Sequence, residues 1–192
     1  MKPLRLMIYD DKPGDGGLQQ KFLRLSWIVG GMLFKLFGKI DECKGVTSWP
    51  EALEWLSSHD EIQSVQFWGH GSPGAVWIGR EPLVAWKLSG VLSEPLKKLA
   101  SKMVPSSNFW IRSCSVFRGR IGRMFALDLH KALLGRKVAG HVRIVGPIQP
   151  ALRTLSLGGS PDSWPADPVK ESWMTWDDRS VLCLAATLPK DY

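Results

Sequence analysis

Cysteine is scarce in this chain: only Cys43, Cys114 and Cys183 occur in 192 residues, far apart and with no Cys-x-x-Cys pair or Cys/His cluster at metal spacing. That argues against a disulfide framework and a zinc site, and fits a reducing compartment. No cofactor or metal is expected. Long apolar runs are also missing, since the best stretch, from Trp27 to Phe37, is interrupted by Gly30, Gly31 and Lys35 and falls short of the about 20 residues a spanning helix needs. The N-terminus starts Met-Lys-Pro and turns acidic at Asp10, too early for a secretory apolar region. A soluble, cytoplasmic protein with no membrane partner is the expectation. The formal charge is +7, but no run of five basic residues exists, the densest group being Arg112, Arg118, Arg120 and Arg123. With no DNA- or RNA-binding signature either, no nucleic-acid partner is expected.

What is present is ordinary globular chemistry. Hydrophobic residues make up 44% of the chain and charged residues 22%, with 10 tryptophans, enough to build one aromatic-rich core. There are no repeats, linkers or low-complexity tracts, so residues 1–192 are read as a single domain. Leu4 to Tyr9 is a short apolar run ending in Asp10-Asp11 and a Gly-rich turn, which predicts a buried strand. Phe22, Leu25, Ile28 or Val29, Met32 and Leu36 recur at helical spacing ahead of Gly38, predicting a long amphipathic crossover helix. A weak strand ends at Val46-Thr47, and Ser48, Pro50 and Glu51 start a helix with capping-box spacing that runs to about Ser58.

Ile62 to Trp68 predicts a third strand, and Ala75 to Ile78 a hairpin arm. Residues 83–103 predict two short helices divided at Pro95, Asn108 to Ile111 a fourth strand, Ile121 to Leu134 a helix, and Val138 to Val145 a fifth strand. Residues 146–180 are rich in Pro and Gly and read as a loop excursion, before Val181 to Thr187 supplies a last strand. Strands alternating with helices imply an α/β fold, a mainly parallel sheet with helices on both faces. The expected strand order is the flavodoxin-like 2-1-3-4-5 plus an edge strand.

Such sheets bind ligands beyond the carboxyl ends of their strands. His70 follows the third strand in Val-Gln-Phe-Trp-Gly-His-Gly, and Cys114 follows the fourth in Phe-Trp-Ile-Arg-Ser-Cys-Ser. If these strands are neighbours, an imidazole and a thiol leave one edge together, as a thiol nucleophile and its base require. The two-part pattern, a hydrophobic strand ending in His-Gly and a second ending in Cys, resembles the caspase-like superfamily of cysteine peptidases, the group of caspases, metacaspases, legumain and gingipains. The fuller run Gly69-His70-Gly71-Ser72-Pro73-Gly74, then Ile78-Gly79 and Ser113-Cys114-Ser115-Val116, looks most like its bacterial members, over roughly residues 60–145.

The resemblance implies a three-layer caspase-like domain and hydrolysis of protein or peptide substrates, with Cys114 as nucleophile, His70 as acid/base, and backbone N–H groups near Gly71 and Cys114 holding the oxyanion. Substrate contacts are expected from Arg112, Ser72 and Asp10. Arg112 stands two residues before Cys114 and so shares its strand face. Its guanidinium suits a carboxylate, which sets the expectation of cleavage after acidic residues; the alternative is a structural ion pair with Asp10 or Asp11. His59, His130 and His141 read as structural, and Cys43 and Cys183 as packing residues. Two other readings of the whole stay open at this point. One is a catalytically inactive caspase-like module that binds a protein partner. The other is a receiver-like signalling domain built on Asp10-Asp11, against which stands Trp68-Gly69-His70 where such domains carry an acceptor Asp. Oligomeric state is not legible.

Overall fold

The computed structural model describes residues 2–12, 17–142 and 152–155. Along the chain come β1 (Leu4–Asp10), α1 (Gly17–Leu36), β2 (Glu42–Val46), α2 (Trp49–Ser57), β3 (Ile62–Trp68), β4 (Gly71–Ser72), β5 (Ala75–Ile78), β6 (Glu81–Val84), α3 (Ala85–Ser89), α4 (Ser93–Lys102), β7 (Met103–Arg112), α5 (Gly119–Ala132), β8 (Lys137–His141) and β9 (Leu152–Leu155). The main sheet has the order β2-β1-β3-β7-β8-β9, and β4-β5-β6 form a small second sheet. The five strands β2, β1, β3, β7 and β8 pair in parallel, and β9 adds antiparallel to β8. This is the expected α/β architecture and strand order.

Both sheet faces are covered, which is why the strands read as apolar runs rather than alternating ones. Leu6, Ile8, Val65, Phe67, Phe109 and Ile111 point into one large core with Trp49, Leu53 and Leu56 of α2, Leu96 and Leu99 of α4, and Phe125 and Leu129 of α5. On the opposite face Met7 and Trp68 pack with Phe34 of α1 and with Ile40. Alternation along each strand thus sorts side chains between a layer of four helices, α2 to α5, and the single helix α1.

Local signals explain most element ends. The Ser48 hydroxyl caps α2 by accepting from the Glu51 N–H at 3.3 Å, while the Glu51 carboxylate reaches back to accept from the Thr47 N–H at 2.8 Å. Gly38 (φ +63°) and Gly135 (φ +79°) take the left-handed conformation just beyond α1 and α5.

Three expectations need correction. Residues 83–103 do form two helices, but the break falls at Gly90 to Leu92, and Pro95 lies in the first turn of α4, where its missing N–H has no intrahelical partner to lose. A strand, β9, sits inside the stretch read as a loop excursion; Leu-Arg-Thr-Leu is too short to announce itself, and its ladder comes from the open edge of β8. The third concerns α1. The stripe Phe22, Leu25, Val29, Met32, Leu36 is its exposed face, whereas Gly30, Gly31 and Phe34 are buried. The glycines decide this: a Cβ on Gly30 would lie 2.7 Å from the Trp68 ring, and one on Gly31 3.4 Å from the Cys43 sulfur. Only the glycine side lets the helix seat so closely on the sheet. The expected strand Val181 to Thr187 and the end of the fifth strand, residues 143–145, lie outside the described residues, as does Cys183.

Candidate active site

The strand order reverses between β1 and β3, with β2 outside β1 on one side and β7 beyond β3 on the other, so the carboxyl ends of β1, β3 and β7 flank the switch point where open α/β sheets bind ligands. Each end carries one of the residues singled out above. In the β3/β7 ladder Trp68 pairs with Arg112, so His70 and Cys114 each stand two residues past the last paired position, on strands about 4.8 Å apart. Both residues are half-buried, and Cys114 is a thiol.

Gly71 joins the two loops. A Cβ placed on it would lie 2.7 Å from the Ser113 Cβ, 2.8 Å from the Cys114 carbonyl oxygen and 3.2 Å from the Cys114 nitrogen. The main chain next to His70 therefore lies in direct contact with the main chain of Cys114, an approach open only to glycine. The Gly74 N–H donates to the Val116 carbonyl at 2.9 Å, stitching the His70 loop to the Cys114 loop a second time. Beyond Cys114 the chain turns sharply. Ser115 adopts φ +52°, a left-handed conformation that costs a non-glycine residue about 1–2 kcal/mol. Surrounding bonds enforce it: Arg118 N–H donates to the Ser115 carbonyl at 2.9 Å and Phe117 N–H to the His141 carbonyl at 3.0 Å.

The imidazole of His70 meets the edge of the Trp27 indole from α1, with ring centroids 5.5 Å apart and planes at 75°. Its carbonyl accepts from the Trp77 N–H at 3.1 Å, tying the loop to the β4–β5 hairpin. Ser72 pairs with Ala75 in that hairpin, two residues along from His70.

Asp10, at the end of β1, is fully buried. Its Oδ1 accepts from the Lys12 and Gly79 N–H groups, each at 3.0 Å, clamping the β1 end to the β5–β6 turn. Its Oδ2 is buried with no hydrogen-bond partner among the described residues. Burial raises the Asp10 carboxyl above its ordinary range, opposed by the two backbone N–H groups and the nearby His70.

Arg112 is only 5% exposed, its guanidinium 4.0 Å from the Trp68 ring centre, 5.5 Å from Trp110 and 5.8 Å from Phe34. It is thus on the α1 face, the face its position on the strand predicts for Cys114 as well. Asp11, one of the two acids weighed as its partner, pairs with Arg24 at 2.7 Å. Stacking of this kind holds a buried cation at about 2 kcal/mol or more when desolvated.

The remaining histidines have structural contacts. His59 Nδ1 bonds the Trp55 carbonyl at 2.9 Å, His130 Nδ1 the Arg136 carbonyl at 2.9 Å, and His141 Nε2 accepts from the Trp110 indole at 3.1 Å. Cys43 packs against the inner face of α1. Sequence reasoning missed the Trp27 contact, the turn at Ser115 and the double role of Asp10 as clamp and buried charge. The first had a signal, since Trp27 falls on the same side of α1 as Gly30 and Gly31.

Fold and site together define a three-layer α/β domain with a histidine and a cysteine beyond adjacent parallel strands at the switch point. The chain belongs to the family described as a domain of unknown function, DUF4347, whose model matches residues 45–150, more than half of its length and inclusive of both His70 and Cys114. No curated protein matches it.

Proposed function

We propose that this protein is a cysteine endopeptidase of the caspase-like kind, working through a dyad of His70 and Cys114 in a reducing, cytoplasmic compartment. The observation that carries the reading is the contact of Gly71 with the Cys114 backbone, because it brings the two strand-end loops together where the chemistry needs them.

The Cys114 sulfur, its proton passed to the His70 imidazole, attacks the scissile carbonyl carbon. The developing oxyanion is met by backbone N–H donors of the Gly71 and Cys114 loops, whose positions are fixed before substrate arrives. Collapse of the tetrahedral species breaks the C–N bond, and the imidazolium gives its proton to the departing amine. Water, deprotonated by the same imidazole, then cleaves the thioester and restores the thiol. The enforced turn at Ser115 holds Cys114 at the lip of the strand instead of letting the chain run on into α5.

Arg112 supports a preference for Asp or Glu before the cut. Its guanidinium, 4.0 Å from the Trp68 ring centre, sets a positive charge on the strand face that Cys114 follows, the charge that suits a carboxylate. One experiment decides both points. Peptidyl acyloxymethyl ketone probes with Asp or Lys next to the warhead are incubated with the protein, and the modified residue is mapped by mass. The expected result is adduct on Cys114, faster with Asp, and slowed by about 10²–10⁴-fold in His70→Ala, the range for losing a general base. Faster reaction with Lys overturns the acidic preference alone. Absence of Cys114 adduct with either probe, or labelling indifferent to His70→Ala, overturns the peptidase reading in favour of an inactive partner-binding module.

A further inference from the structure

Six of the eleven large hydrophobic residues exposed among the described residues lie on the outer face of α1 or just beyond its end. Phe22, Leu25, Val29, Met32 and Leu36 follow one another at intervals of three and four residues, and Phe37 continues the row at the helix end; four of the six are more than 60% exposed, Leu36 reaching 78%. On a helix such spacing forms one continuous stripe, here about 20 Å long at 1.5 Å per residue. Single exposed apolar residues are normal on a surface, but a contiguous row of this size marks an interaction site.

Its charge surroundings identify the kind of partner. The helix Gly17–Leu36 contains no Asp or Glu at all, while Lys21, Arg24 and Lys35, with Lys39 just beyond, are exposed. At 100° per residue Lys21, Lys35 and Arg24 all fall on the same flank of the stripe, and the opposite flank carries the uncharged Ser26 and Leu33. Arg24 is bound to Asp11, which leaves the lysines as the main outward field. A second copy of this helix would bring like charges together along the seam, with no acid to relieve them. An anionic lipid surface satisfies both halves of the pattern, accepting the apolar stripe into its boundary region and the lysines among its headgroups.

We propose that α1 is an interfacial helix which docks this domain on anionic membranes through the stripe from Phe22 to Phe37. No helix of the described residues is long and apolar enough to cross a membrane, so the association proposed is peripheral, a departure from the expectation of no membrane partner that the vesicle test below decides. Docking would also orient the candidate active site, because the inner face of the same helix carries Trp27 against His70.

The test is co-sedimentation of the full chain with vesicles of phosphatidylcholine alone and of equal parts phosphatidylcholine and phosphatidylglycerol, at low and high salt. Binding is expected to the anionic vesicles only, weakened by salt. It should fall by about tenfold or more in Leu25→Gln/Met32→Gln and in Lys21→Glu/Lys35→Glu. These positions are exposed, so circular dichroism and melting should match the parent protein. Failure to bind anionic vesicles, equal binding to neutral ones, or retention of binding in both variants overturns the proposal. Concentration-dependent dimerisation that Leu25→Gln/Met32→Gln abolishes, without vesicle binding, also overturns it and assigns the stripe to a second copy. None of these readouts involves Cys114, so they stand or fall independently of the peptidase reading.

Discussion

Replacing Gly71 by Ala should damage the candidate active site far more than it damages the fold. The added methyl would sit 2.7 Å from the Ser113 Cβ and 2.8 Å from the Cys114 carbonyl oxygen, whereas carbon atoms rest comfortably at about 3.5–4.0 Å. Relief therefore requires the two loops to part by about 1 Å on that contact scale. Overpacking of this kind costs about 1–3 kcal/mol, and in a domain of this size each kcal/mol lowers the melting temperature by roughly 2–4 °C. The effect on chemistry is larger, because displacing a catalytic pair by about 1 Å costs on the order of a hundredfold in rate. The assay pairs thermal unfolding with the rate of Cys114 modification by the Asp-bearing probe. Gly38→Ala supplies the comparison: Gly38 has φ +63° but open space around it and lies at the far end of α1. That variant should lose about 1 kcal/mol from the left-handed conformation and label normally. Should Gly71→Ala label at the parent rate, the contact between the His70 and Cys114 loops would not be what positions the pair, and the reasoning fails.

Two predictions concern charge. Burial raises the Asp10 carboxyl, so its contribution to stability is fully present below the ordinary carboxylate range and lost as pH rises through the elevated value. Asp10→Asn, which can still accept from Lys12 and Gly79, should flatten that pH dependence in thermal melts, whereas Asp10→Ala should cost about 1–3 kcal/mol by stranding those N–H groups; identical melts for the two variants would refute the clamp. Asp41 behaves oppositely. The hydrogen bonds from the Arg5 side chain, at 3.0 Å to each carboxylate oxygen, hold its carboxyl at about 2, so its stabilisation is present above pH about 4 and disappears as pH falls toward 2. Asp41→Asn should lower stability by about 1 kcal/mol at neutral pH and by nothing at the acid end, as measured by urea denaturation across pH.

Strand and helix identity lay mostly in the sequence, because local physics sets them. Ile62 to Trp68 was bounded by Glu61 and Gly69 and rich in residues that fit a pleated, buried surface. Ser48 and Pro50 marked the start of α2 by satisfying or omitting N–H groups that a helix leaves over. The alternation of strand and helix determined a parallel sheet, and with it the placement of His70 and Cys114 beyond strand ends. Tertiary structure decided what local pattern cannot encode. The apolar stripe of α1 reads as a core face by periodicity, yet the helix seats on its glycines, because how closely two backbones can approach outweighs a hydrophobic row when Trp68 fills the space between. The meeting of Gly71 with Cys114 and the clamp of Asp10 on Gly79 join residues 43 and 69 positions apart. Such contacts arise from the register of strands brought together by the whole fold, and a one-dimensional pattern carries no record of that register.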